Sequence, residues 1–132
     1  MLTGKNALVT GAGKGIGKAI AMELAANGAF VIVNYNGSKA AAEQTVAEIQ
    51  EAGGDAVAYQ CNVADYEACG DMVSELIKTY KHIDILVNNA GITRDGLLMK
   101  MSEDDFDAVI DTNLKGCFNT IRHLSRYFLK QR

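Results

Sequence analysis

Short apolar runs alternate along the chain with longer stretches in which hydrophobic positions recur every three or four residues. Ala7-Leu8-Val9-Thr10 reads as a strand buried on both faces. A Gly-rich turn follows, then a helix with Ile16, Ile20 and Leu24 at i+4 steps as its apolar stripe, stopped by Asn27-Gly28. Ala29-Phe30-Val31-Ile32-Val33 is the second strand, and an Asn/Gly/Ser turn leads into an Ala-rich helix from about Lys39 to Ala52, closed by Gly53-Gly54. The third strand is Ala56 to Cys61. Asp65 caps a helix carrying Cys69, Met72, Val73, Leu76, Ile77 and Tyr80 on one face, and Ile85-Leu86-Val87 is the fourth strand. After a loop from Asn88 to Met101, Ser102-Glu103-Asp104-Asp105 starts a last helix. Its expected buried stripe is Phe106, Val109, Ile110, Leu114, Cys117, Phe118 and Ile121. The order β-α-β-α-β-α-β-α predicts an α/β fold, a doubly wound parallel sheet of Rossmann type with right-handed crossovers. Such sheets take ligands beyond the carboxyl ends of their strands.

Composition narrows the function without changing that fold. The 132 residues are 48% hydrophobic and 22% charged, with 13 Gly and no Pro, which suits a globular chain with a real core. Sixteen acidic against 13 basic residues give a net charge of −3, and the basic ones are dispersed, so no nucleic-acid footprint is expected. No apolar stretch reaches the roughly 20 residues that span a bilayer, and the expected location is cytoplasmic. Cys61, Cys69 and Cys117 are odd in number and lack metal-site spacing, so they are read as reduced packing residues, with no metal expected.

Candidate chemistry gathers at the predicted carboxyl ends of the strands. Thr10-Gly11-Ala12-Gly13-Lys14-Gly15-Ile16-Gly17 has no Gly-x-Gly-x-x-Gly register and no P-loop Gly-Lys-Ser/Thr. It fits Thr-Gly-x-x-x-Gly-x-Gly, in which a bare backbone and the following helix N-terminus can face a pyrophosphate. A tight turn has similar composition; the placement between strand and helix favours the phosphate site. Asn88-Asn89-Ala90-Gly91 ends the fourth strand and supplies amides that can tie loops together, while Asn62-Val63 ends the third and could bracket a base. Asn113 falls inside the apolar stripe of the last helix, so it is expected to need buried partners, in either a structural or a functional role.

Taken together, these motifs resemble the short-chain dehydrogenase/reductase family over essentially the whole chain. Thr10-Gly11-x-x-x-Gly15-Ile16-Gly17, Asn88-Asn89-Ala90-Gly91 and Asn113 match in order and spacing. The run Asn89 to Asp95, with Leu97-Leu98-Met99-Lys100-Met101, is similar to the 3-oxoacyl-[acyl-carrier-protein] reductases of bacterial fatty-acid synthesis, and acetoacetyl-CoA reductases share much of it. The resemblance implies NADP(H) as cofactor. Gly11, Gly13, Lys14, Gly15, Ile16 and Gly17 would hold its phosphates and ribose, Asn62 and Val63 its adenine, and Asn89, Ala90 and Gly91 the nicotinamide-side ribose. Asn36 and Ser38 follow the second strand where an NAD-selecting carboxylate is missing, and Lys14 adds a cation; both favour NADPH over NADH.

The same resemblance implies a catalytic Asn, Ser, Tyr and Lys, of which only Asn113, holder of a water in the proton path, is found. The chain is therefore expected to be an incomplete NADP-binding domain over residues 1–132, cut before the fifth strand and inactive alone. Tyr35-x-x-x-Lys39 has catalytic spacing, but Tyr35 precedes its helix on the adenosine side, so it is read as a decoy. Arg122, Arg126, Lys130 and Arg132 are either a solvated helix face or a docking surface for an acidic acyl carrier protein. A homo-oligomer, by family resemblance a tetramer, is implied for the complete protein. The reading of another class is a non-catalytic nucleotide-binding or assembly fragment, and a genuine fragment is expected to self-associate through its apolar faces.

Overall fold

The first apolar run becomes β1 (Asn6–Val9), in a computed structural model that describes residues 1–91 and 100–131. It is followed by α1 (Gly15–Ala26), β2 (Phe30–Tyr35), α2 (Lys39–Glu51), β3 (Asp55–Gln60), α3 (Tyr66–Tyr80) and β4 (Ile85–Val87). Beyond these lie α4 (Glu103–Val109), a π-helical segment (Ile110–Lys115) and α5 (Gly116–Gln131). The strands pair in parallel, as the alternating pattern predicts, in the order β3-β2-β1-β4.

Because strand side chains alternate between faces, the registers Ala7↔Val31 and Val9↔Val33 put all four residues on one face, and Leu8↔Ile32 lies on the other. Ala7, Val9, Val31 and Val33 pack with Ala21 and Ala25 of α1 and Ala42 and Ile49 of α2. Leu8 and Ile32 pack with Cys69, Met72, Val73 and Leu76 of α3 and Leu124 of α5. Two helical layers therefore cover the sheet. Ser38, Asp65 and Ser102 each accept a backbone N–H three residues on, at Ala41, Ala68 and Asp105, and so start α2, α3 and α4.

Two predicted stripes are placed differently by the structure. In α1 the buried face is Gly17, Ala21 and Ala25, while Ile16 is 75% exposed and Ile20 and Leu24 pack at the margin. Small residues let this helix lie close to the sheet and the Gly-rich turn, a benefit that periodicity of large side chains does not reveal. In the last helix the correction is larger. Phe106, Ile110, Leu114, Phe118 and Ile121 are exposed, and Gly116, Asn119, Thr120 and Leu124 face inward. The stripe is outward on both sides of the π segment, from Phe106 to Ile121, so the period of large residues finds the apolar face of this helix but not which way that face turns; within the segment the Gly116 N–H reaches back five residues to Asp111 O. Among the described residues no helix is long and apolar enough to cross a membrane.

The three cysteines are unbridged, with Cys61 and Cys69 buried. Burial, with the Asp65 and Asp71 carboxylates nearby, pushes the Cys61 thiol up to about 11. Burial, then Cys61 and Asp65, pushes Cys69 up to about 12. Both native thiols hold their protons above the ordinary value of 9.0, so their contribution to stability is complete below that pH and is lost as pH rises toward 11–12. A thiol reagent at mildly alkaline pH should modify only the half-buried Cys117 in native protein and all three cysteines after unfolding. The outward apolar seam on α4 and α5 should drive concentration-dependent self-association. Phe118→Asp should reduce it in light scattering while the melting temperature stays within a few degrees, since Phe118 is 59% exposed in the single chain.

Candidate functional site

The carboxyl ends of β1 and β4 are joined by a short polar network. Thr10, buried at the end of β1, donates its N–H to Val87 O (3.0 Å), and its hydroxyl oxygen accepts the N–H groups of Asn89 and Ala90 (3.0 Å each). Asn89 returns the link, its Nδ2 donating to Gly11 O at 3.0 Å. On the other side Asn34, 2% exposed near the end of β2, accepts the Gly11 N–H on Oδ1 (3.2 Å) and donates Nδ2 to Cys61 O (3.1 Å). Three strand ends are thereby tied to one turn.

The turn tolerates no side chain at two points. Gly11 has φ +61°, and a Cβ there would lie 2.7 Å from Ala90 Cα. A Cβ on Gly17 would lie 2.4 Å from Gly11 O and 2.3 Å from Asn89 Nδ2. From the α2 side, Thr45 donates its hydroxyl to Gly13 O (3.0 Å), and Lys18 of α1 pairs with Glu48 of α2.

A cleft of about 460 Å³ opens over these strand ends. Gly11, Gly13, Lys14, Asn36, Ser38, Asn62, Val63, Asn89, Ala90 and Gly91 line it, with Asn34, Tyr35 and Thr112. Of the other sequence-predicted cofactor residues, Gly15 and Ile16 open the helix beside it and Gly17 lies beneath, packed on Asn89. The helix end suits an anion. Lys14, at the N-cap position of α1, makes no side-chain cap bond, whereas α2, α3 and α4 all have one, so the first N–H groups of α1 are left for a ligand. The described lining carries one cation, Lys14, and no carboxylate. Strand-end polar groups, an anion-ready helix end and a cleft of this size fit a dinucleotide.

Asn113 needs a correction of environment. It is exposed within the π segment, not buried, because the face it shares with Phe106 and Ile110 is turned outward. Its side chain faces Gly91, where a Cβ would lie 3.1 Å from Asn113 Oδ1, so it stands at the β4 end of the cleft, next to Thr112. The Tyr35/Lys39 pair does not share a helical face: Tyr35 ends β2, and Lys39 begins α2 and pairs with Glu43 at 3.8 Å. Arg122 and Arg126 flank a cavity of about 190 Å³ between α3 and α5, Arg126 lying 5.0 Å from the Tyr127 ring centroid. Lys130 is exposed at the end of α5. Arg132 and the 92–99 part of the loop that carries the subfamily likeness lie outside the described residues. Among the described residues no group of three or more His, Cys, Asp or Glu could hold a metal.

Several residues of the site escape a reading by motif. Asn34 could have been found, since an amide directly after Val31-Ile32-Val33 sits where the strand is buried and must be paired. Asn119 and Thr120, both fully buried, offer less signal because they sit between Phe118 and Ile121, the large apolar residues a sequence reading expects to be the buried ones. Thr120 donates to Asn88 Oδ1 at 2.6 Å and Asn119 donates to Val63 O at 2.8 Å. Asn119 Oδ1 is buried with no hydrogen-bond partner among the described residues, an arrangement that costs about 1–3 kcal/mol.

Fold and cleft together define a doubly wound α/β protein with an open cleft over its strand ends. The sequence model of the short chain dehydrogenase family matches residues 5–132, and the chain belongs to that family. The 3-oxoacyl-[acyl-carrier-protein] reductase FabG of Staphylococcus aureus is 53% identical over 128 residues, 97% of this chain and 52% of that protein. The 3-oxoacyl-[acyl-carrier-protein] reductase of Synechocystis sp. is 50% identical over 131 residues, 99% of this chain and 53% of that one. A short chain dehydrogenase from Burkholderia cenocepacia, solved in complex with NADP, superposes with a TM-score of 0.90 at 41% identity, covering 96% of this chain and 51% of the other. The chain thus spans about half the length of the curated relatives it matches.

Gly17→Ala tests the geometry of the joint. The added methyl must displace the Gly11 carbonyl or the Asn89 amide, so chemical denaturation should show a loss of about 1–3 kcal/mol. Nucleotide affinity, measured by calorimetry, should fall at least about tenfold.

Proposed function

We propose that these residues form the NADPH-binding half of a 3-oxoacyl-thioester reductase of fatty-acid synthesis. The observation that carries the reading is the cleft over β1 and β4, lined by backbone-bare glycines, one cation and no carboxylate at the end of β2. Lys14, Asn36 and Ser38 would receive the 2′-phosphate side, since nothing acidic in the described lining repels it. Asn62 and Val63 would bracket the adenine, and Ala90 and Gly91 would leave room for the nicotinamide-side ribose. Bound there, the cofactor would supply a hydride for a 3-oxo carbon. Asn113 is assigned the holding of a water on the proton path, in keeping with its place beside Gly91.

The substrate class comes from the likeness to the two 3-oxoacyl-[acyl-carrier-protein] reductases. With about half of their length matched, the proton-donating Tyr and Lys would come from the half of such a protein that this stretch does not match. Arg122, Arg126 and Lys130, which have no carboxylate partner among the described residues, would face the acidic carrier. A second copy would cover the outward seam of α4 and α5.

In the intact protein, acetoacetyl-CoA should be reduced with consumption of NADPH, followed by the absorbance of the reduced nicotinamide, and much more slowly with NADH. Lys14→Glu should weaken NADPH about tenfold and NADH by less, since only NADPH carries the 2′-phosphate. Equal use of both cofactors by the wild type would refute the assignment of the phosphate end. No turnover of any 3-oxoacyl thioester would refute the reductase.

A further inference from the structure

Asn119 occupies the first turns of α5, far in sequence from the cleft, and is fully buried. Its Nδ2 donates to Val63 O at 2.8 Å across 56 positions of chain. Beyond Cys61, which is tied to β2, the loop has local bonds from Ala64 N to Asn62 Oδ1 and from Asp65 N to Asn62 O, each 3.0 Å. One helical turn earlier, Gly116 supplies a second restraint, since a Cβ there would lie 2.8 Å from Val63 Cγ2. Val63 is therefore held at its carbonyl and its side chain by one helix, while its other side lines the cleft beside Asn62.

Packing alone does not explain an amide at this position. Its Oδ1 is buried without a partner among the described residues, so the amide satisfies the Val63 carbonyl only by burying an unpaired acceptor of its own. What the amide adds is direction: it fixes where the Val63 carbonyl, and with it the Asn62–Val63 wall, stands relative to the glycine turn. Thr120, the next residue, bonds Asn88 at the end of β4. Two adjacent residues of α5 thus hold the two sides of the cleft.

We propose that Asn119 is a positioning residue for the adenine-side wall, tuning affinity for adenine nucleotides through Val63. The proposal rests on the dinucleotide reading of the cleft. In the intact protein, NADPH and adenosine 2′,5′-bisphosphate are titrated calorimetrically into wild type and Asn119→Leu, and the ligand-free melting temperatures are compared. Asn119→Leu should bind both ligands roughly tenfold more weakly, the worth of one buried hydrogen bond, with a melting temperature within a few degrees of wild type. Unchanged affinity overturns the proposal, as does an affinity loss that only accompanies a large fall in melting temperature. Should Asn119→Leu not fold, Gly116→Ala displaces the same Val63 side chain: weaker binding with retained melting temperature supports the proposal, and unchanged binding overturns it. A wild type that binds neither ligand refutes instead the dinucleotide reading itself.

Discussion

The backbone at the end of β1 must pass within contact distance of the end of β4, and the cleft exists only because it does. Gly11 lies so close to Ala90 that no Cβ fits between them, and Gly17 lies so close to Gly11 O and Asn89 Nδ2 that none fits there either. Two parallel strands would satisfy their ladder without this approach. It is Thr10 accepting two N–H groups from the β4 end, and Asn89 donating back to Gly11 O, that draws the two turns together. Each such bond contributes about 0.5–1.5 kcal/mol net, so the network matters less for total stability than for where backbone donors point. The helix dipole and free N–H groups of α1 are aimed by this joint.

The same logic extends outward in layers. Asn34 carries the joint to β2 and β3, and Thr45 and the Lys18–Glu48 pair brace the glycine turn from α2. Asn119 and Thr120 close the arrangement from the far side of the sheet. Buried polar side chains are costly unless paired, so a set of them converging on one group of strand ends marks where the fold gives up apolar packing to hold a ligand surface. The apolar seam of α4 and α5 has the opposite character: large side chains turned away from the core offer a surface to another molecule.

Much of this was legible from residues in order. The strand sequence, the caps Asp65 and Ser102 and the clustering of glycines and asparagines at strand ends follow from local rules, since each concerns residues close in the chain or the period of one element. The misplaced stripes have one cause in common. Periodicity locates large apolar residues, and it is silent when a helix is held close by small ones, as in α1, and on whether an apolar face turns toward the sheet or away from it, as in α4 and α5.

What the sequence by itself determined, then, is the class of fold, the glycine-rich turn after β1 and the lack of a carboxylate at the end of β2, because these depend on residue types at fixed short spacings. Tertiary structure decided which of those residues meet. It placed Asn89 under Gly11, exposed Asn113 beside Gly91, and turned Asn119 inward to Val63 while Phe118 turned out. The reason is distance: pairings across 56 or 78 positions are set by how helices and strands pack, and no local pattern carries that information.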